Sequence, residues 1–346
     1  MAIRQKCFMS LALLTLVVFM ASAALAAEAK VIKLHHLNPN GSFNNPSGAS
    51  VAVFKSLVES GTNGSVKVEI FPDGQLGKDD EVLQQVKAGV IQAGVHTTGG
   101  LASVYPLISV LDIPFGFPNI AATYSVLDGP FGQKLADDIF KKSGLKILGF
   151  SDSGGFFQIT NSKRPIKKPA DLQGLKIRTM GLKTHQTFVS SLGGQPVSIS
   201  WSEVYTALQT GVADGQMNPI PIVEFAKLYE VQKYLTVSGH LFATHIWVIN
   251  NDFFNTLSPA EKDVVVSAAK AAIVTGRGIA NAIEASERGL PFLATKMEVY
   301  ALTAEEKAEF RKISVPAVRS YIEGAFGAEG KALLEELLAA LEQASK

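Results

Sequence analysis

Cysteine is almost missing from this sequence: the only one among 346 residues is Cys7, inside an apolar N-terminal stretch. That excludes a disulfide framework, a cysteine nucleophile and a lipobox-anchored lipoprotein. An excess of one charge is also missing, with 32 Lys and Arg against 31 Asp and Glu, so nothing points to a polyanion and no nucleic acid is expected as a partner. Beyond the N-terminus no stretch approaches the roughly 18 uninterrupted apolar residues of a membrane span. H-E-x-x-H, G-x-S-x-G and the P-loop are absent. Gly99-Gly100 and Gly154-Gly155 suit turns rather than a dinucleotide fingerprint. The 15 prolines and 30 glycines are scattered, which leaves no low-complexity linker, and no repeat of solenoid period occurs.

What is present begins with an address. Arg4 and Lys6 precede the apolar run from Leu11 to Ala21, which ends at Ala24-Leu25-Ala26. The pattern is that of a secretory signal peptide over residues 1–26, cleaved after Ala26, and it predicts a soluble protein exported to a bacterial periplasm. Losing Arg4 and Lys6 reduces the 32 basic residues to 30 against 31 acidic, a net charge of −1. The remaining chain is long enough for two domains with separate cores.

Alternation and helical spacing then predict a strand at Val31 to Leu34, a helix from Ser47 to Ser60 and a strand from Val66 to Phe71. A helix from Asp79 to Gly89 and a strand from Ile91 to Val95 follow, with His96 to Gly100 as a polar loop. This β-α-β-α-β order argues for an α/β fold with a largely parallel sheet, in which ligands sit off the carboxyl ends of the strands. Pro106 to Pro118 reads as an irregular wall, Phe131 to Ser143 as a helix, Leu145 to Phe150 as a strand and Ser151 to Gly155 as a crossing between domains. Further on, His185 to Leu192 and Trp201 to Thr210 read as helices. The back half is mostly helical: capping boxes at Ser258-Pro259-Ala260-Glu261 and Thr303-Ala304-Glu305-Glu306 open long helices, with Gly276 and Gly278 expected to bend the first.

Leu175 and Ile177 alternate with Lys176 and Arg178, which places Arg178 at the end of a short strand. A guanidinium there offers a planar fork to a carboxylate, sulfonate or phosphate, although the same residues also fit a surface arginine on a strand edge. Thr97, Gln158, Asn218 and His245 are likewise expected at strand ends, with Trp201 opening a helix. One arginine, two amides and an aromatic wall suit reversible capture of a small organic anion and include no evident base or nucleophile. Trp201 would also serve as plain core. A zinc site from His35, His36, His96 and His245 lacks any ligand spacing to support it, and neighbouring residues of one strand face opposite sides, so no metal and no cofactor are expected.

Several motifs carry a resemblance. They are the run from Val68 to Gly77, Thr160-Asn161 with Arg164-Pro165-Ile166, Asp171 to Arg178, Glu203 to Gly211, and Asp214-Gly215-Gln216 with Asn218-Pro219. Their order and spacing resemble the substrate-binding proteins of tripartite ATP-independent periplasmic (TRAP) transporters, of the C4-dicarboxylate- and sialic-acid-binding type. The resemblance implies a two-domain periplasmic binding protein fold with a ligand cleft between domains and a long domain-spanning helix. The expected division is 27–154 plus 244–283 for the first domain and 155–243 plus 284–346 for the second.

The same resemblance makes Arg178 the arginine that holds the ligand carboxylate and Asn218 its supporting amide, and it sets Trp201 against the ligand. Asp79, Thr97 and His245 fall at cleft positions. Where sialic-acid-binding members carry a second arginine this chain has Gln158, and where they have a cleft glutamate it has Thr97. The first departure argues against a doubly charged ligand and the second against a polyhydroxylated or amine-bearing one, which leaves a small monocarboxylate or other singly charged acid such as a sulfonate, with its apolar part against Trp201 and Phe157. The implied mechanism is hinge closure followed by delivery to separate membrane permease subunits, by a protein that is not an enzyme and acts as a monomer. The alternatives are a binding protein of the same fold serving a sensor or chemoreceptor, and a periplasmic enzyme acting on an organic acid.

Overall fold

The computed structural model describes residues 29–346; the expected signal peptide with its expected cleavage point, and Cys7, lie outside the described residues. Strand β1 (Lys30–His35) and β2 (Val66–Phe71) form where β-branched residues alternate with lysine and glutamate, so Val66 and Val68 are buried while Lys67 and Glu69 face water. They pair in parallel, Lys30 opposite Val66 through His35 opposite Phe71. The crossover between them is the helix Pro46–Gly61, started by Asn45, whose side chain accepts from Gly48 N at 2.6 Å, and by proline at its first position.

A helix at Asp79–Lys87 leads to β3 (Ala93–Thr97), parallel to β1. His96 and Thr97 are therefore the last residues of a strand, not loop, and Thr98–Leu101 is a helical turn. The expected irregular wall opens as a 3-10 turn, Pro106–Asp112. Helices at Ile120–Asp128 and Pro130–Ser143 precede β4 (Leu145–Phe156). The predicted crossing at Ser151 to Gly155 lies within β4. Asp152 makes this possible: its Oδ1 accepts from Gly154 N and Gly155 N, both at 2.8 Å, while β10 (Phe242–Asn250) pairs alongside.

The second sheet contains β5 (Gln158–Asn161), β6 (Lys176–Thr179), β7 (Gln195–Ser198), β8 (Gly215–Asn218), β9 (Tyr234–Val237) and β11 (Glu298–Ala301). Strand order is β2-β1-β3-β10-β4 in the first sheet and β11-β9-β5-β8-β6-β7 in the second. Both sheets are mixed rather than largely parallel, because β10 runs antiparallel to β3 and β4, and β5 antiparallel to β8 and β9. Phe157 alone separates β4 from β5, and its N–H bonds Leu241 O at 2.8 Å in the return crossing. The chain thus passes between the sheets at two adjacent points.

The capping boxes act as their spacing predicts. Ser258 Oγ accepts from Glu261 N at 3.3 Å, Glu261 Oε2 accepts from Ser258 N at 2.8 Å, and the helix runs unbroken over Pro259–Glu284. Gly276 does not bend it; a Cβ there would lie 3.1 Å from Pro46 O, so the missing side chain lets the helix Pro46–Gly61 approach. The C-terminal helix spans Ala304–Ala344 with a break at Gly327, where φ is 60°. Its Phe310, Ile322 and Leu337 belong to one core cluster with Ile246 of β10 and Ile177 of β6, so this helix seals both sheets.

Candidate functional site

The carboxyl ends of the sheets face a cavity of about 610 Å³, lined from both sides. On the second side, β6 lies between β7 and β8, and Arg178 is paired to Val197 and Gln216. That central position buries Arg178, which is 5% exposed. Its Nε donates to Ile199 O at 2.9 Å, and the guanidinium lies 6.0 Å from the centre of the Trp201 ring. Among the described residues no side chain or carbonyl meets the two Nη atoms within hydrogen-bonding range, and no carboxylate pairs with the group. Burial lowers its pKa to about 10, so it stays cationic at pH 7. A buried cation without a counter-ion, its fork open toward a cavity, is costly unless an anion arrives.

Asn218 ends β8 on the same wall and is held by a line of polar side chains. Its Nδ2 donates to Gln216 Oε1 at 2.5 Å, Gln216 Nε2 to Thr160 Oγ1 at 2.9 Å, and Thr160 Oγ1 to Gln232 Oε1 at 2.9 Å. Gly215 starts that strand because a Cβ would lie 2.3 Å from Thr160 O. Trp201 opens a 3-10 turn, Trp201–Glu203, and the α-helix proper is only Val204–Gln209. Phe157, at the crossing, lines the cavity and meets the His185 ring edge-on at 5.8 Å.

On the first side, Asp79 is the first residue of its helix and points its carboxylate at the end of β3. Oδ1 is 2.8 Å from His96 Nδ1, while Oδ2 accepts from Thr97 N at 3.0 Å and Thr97 Oγ1 at 2.6 Å. Burial works to raise its pKa, but the His96 and Thr97 donors outweigh that and hold the carboxyl below its ordinary value. His245 of β10 stands opposite Thr97 in register, and burial lowers its pKa to about 4, so the ring is neutral at pH 7.

Seven of the eight residues picked from the sequence, Arg178, Asn218, Trp201, Thr97, His245, Asp79 and Phe157, line this cavity. Gln158 does not. Its Oε1 accepts from Ser238 N at 2.8 Å and Gly239 N at 2.9 Å, and its Nε2 donates to Phe156 O at 3.0 Å. The amide braces the return crossing and is not on the cavity wall. Sequence reading missed Lys78, Ser153 and the Ser198-Ile199-Ser200 segment, all of which line the cavity. A strand, a glycine turn and a helix start at Gly77-Lys78-Asp79 was the available signal for the first.

His35, His36 and His96 lie behind the Asp79 wall; the His35 and His96 rings are 5.6 Å apart, and His36 Nε2 meets Asn40 Oδ1 at 3.1 Å. Among the described residues no three His, Cys, Asp or Glu side chains are arranged to hold a metal ion.

Known proteins share this fold. The family described as "Bacterial extracellular solute-binding protein, family 7" matches residues 38–324. The C4-dicarboxylate-binding periplasmic protein DctP of Rhodobacter capsulatus is 35% identical over 298 residues, 84% of this chain and 86% of that protein. The sugar acid binding protein DctPAm from Advenella mimigardefordensis, solved in complex with galactonate, superposes with a TM-score of 0.84 at 30% identity, covering 92% of this chain and 99% of that one. A TRAP periplasmic solute binding protein from Sulfurospirillum deleyianum, solved with bound succinate, gives 0.81 at 30% identity over 90% of this chain and 99% of that one.

Proposed function

The chain belongs to family 7 of the bacterial extracellular solute-binding proteins, the periplasmic binding proteins of TRAP transporters, and from this membership we propose that it captures a small singly charged organic acid by closing its two domains around Arg178. The observation that carries the reading is the buried, unpaired guanidinium of Arg178 on the cavity wall. A carboxylate entering there gains a charge-assisted, two-point contact where water competes little. Asn218 supplies a neighbouring amide, and Trp201 and Phe157 cover the apolar part.

The far wall sets the rest of the chemistry. Thr97 carries no charge, but its hydroxyl and N–H hold the ionised Asp79 carboxylate at the same place. A second carboxylate on the ligand would face that anion, whereas a hydroxyl would be accepted by it. Asp79 thus supplies the carboxylate whose absence at Thr97 argued against a hydroxylated ligand, and in place of that expectation we assign a monocarboxylate with a hydroxyl-bearing end. The galactonate bound by the Advenella protein has that chemistry. A dicarboxylate is the second reading, favoured by Lys78 on the rim and by the succinate bound in the Sulfurospirillum protein. Lys78 is exposed, so solvent and salt screen it in a way that Arg178 is not screened.

Delivery follows from closure. With domains at 27–154 plus 244–283 and 155–243 plus 284–346, the paired crossings at Phe157 and 238–241 form the hinge, and a ligand that touches both walls favours the closed state by its differential affinity. The closed protein hands its acid to membrane permease subunits in the periplasm, without turnover. A thermal-shift screen with D-galactonate, pantoate, succinate and orotate tests this: the first two raise the melting temperature most and are recovered unchanged. Succinate ranking first would support the Lys78 reading, and no shift with any organic acid would remove Arg178 from its role.

A further inference from the structure

Arg288 lies outside the cavity wall, in the turn between the long helix Pro259–Glu284 and a short helix at Leu290–Ala294. Leu290 and Leu293 pack with Val204 and Leu235, which fixes that turn to the second sheet. Nη1 of Arg288 donates to Phe43 O at 2.8 Å, and Nη2 to Asn44 O at 3.3 Å and Glu224 Oε2 at 3.2 Å. The two carbonyls belong to the loop after β1, whose Leu37 and Asn38 line the cavity. Glu224 belongs to the helix Ile220–Phe225, whose Ile222 lines it from the other side. One side chain thus joins the loop of the first sheet to two segments of the second.

The loop is braced internally. Asn45 Nδ2 donates to Pro39 O at 2.8 Å, Asn44 N to Gly41 O at 3.1 Å, and His36 Nε2 meets Asn40. The Phe43 ring is 78% exposed, so its side chain does not anchor the loop to the second sheet. What crosses at this edge is the pair of carbonyl contacts to the guanidinium, strengthened because the donor is charged.

We propose that Arg288 is an inter-domain clasp, a positioning residue that holds the two cavity walls together from outside and sets the residence time of the bound acid. This rests on the hinge-closure reading above. It assigns no ligand contact to Arg288; its effect falls on the open-to-closed equilibrium and on dissociation.

Spin labels at Val90→Cys and Val212→Cys, with Cys7→Ser, report the separation of the two sheets, since both positions are exposed and each precedes a strand of a different sheet. In protein without added acid, Arg288→Ala lowers the ratio of the shorter-distance to the longer-distance population about tenfold relative to its parent. Glu224→Gln, which keeps both carbonyl contacts, lowers that ratio by a smaller factor. With D-galactonate as probe, stopped-flow dissociation from the Arg288→Ala protein is faster by a similar factor while association is unchanged. A distance distribution in Arg288→Ala identical to the parent overturns the clasp, even if its melting temperature falls, because a merely structural arginine would lower that alone. If Arg288→Ala does not fold, an unchanged distribution in Glu224→Gln overturns it. Because the distance measurement uses no acid, it decides for or against the clasp even where D-galactonate fails to bind.

Discussion

Arg178 and Gln158 reached opposite ends from the same kind of sequence setting, a polar residue on a short strand. The β6 neighbours bury Arg178 and leave its fork toward the cavity, so Arg178→Ala should remove the charge-assisted two-point contact proposed for the acid. Calorimetry with the acid that scores in the thermal-shift screen should show binding weaker by at least about 2 kcal/mol, roughly 30-fold. Arg178→Lys keeps the charge but not the planar fork and should recover only part of the loss. Gln158→Ala predicts something else: it leaves Ser238 N–H and Gly239 N–H without their acceptor, which costs about 1–3 kcal/mol of stability in chemical denaturation and leaves the ranking of acids unchanged. An altered ranking would return Gln158 to the site. Its amide goes to a segment 80 residues away in sequence, which no local pattern encodes.

At the scale of elements, local signals were read well where the hydrogen bonds are local. The capping boxes at Ser258 and Thr303 and the helical spacing from Ser47 to Ser60 placed their elements to within a few residues. The extension of β4 through Ser151 to Gly155 was not legible, because Ser-Asp-Ser-Gly-Gly has turn chemistry and only β10 and the Asp152 carboxylate keep it extended. The helical turn Thr98–Leu101 shows how an element serves the site. A Cβ on Gly100 would lie 2.4 Å from Asp79 Oδ2. Gly100→Ala should therefore push the carboxylate off Thr97, lower stability by about 1–3 kcal/mol and weaken binding of a hydroxy acid several-fold relative to its deoxy analogue. Equal losses for both acids would argue that Asp79 does not read the hydroxyl.

The whole molecule buries an unusual set of neutral imidazoles. Burial holds His35 and His240 at about 3, and His36 and His245 at about 4, against the ordinary 6.5. Below pH 6.5 the unfolded chain takes up protons at these positions and the folded chain does not, so unfolding binds protons and stability falls. The loss is about 1.4 kcal/mol per pH unit for each histidine once the pH is well below 6.5, and it continues until the folded values are reached. Scanning fluorimetry should show a melting temperature that changes little between pH 8 and 7 and falls steadily from pH 6.5 to 4. A flat profile across that lower range would mean that these rings reach solvent.

The sequence by itself determined the α/β class, the helices with their own caps, and Arg178, Asn218 and Trp201 as companions, because strand alternation, capping and motif spacing are short-range properties. Only the tertiary structure decided which of those residues meet. Sheet order brings Thr97, Asp79 and His245 together from β3, its preceding helix and β10, sets them across a cavity from Arg178, and turns Gln158 away. Those outcomes depend on pairings between segments far apart in the chain, whose geometry is fixed by packing and by the need to satisfy buried backbone groups rather than by any local pattern.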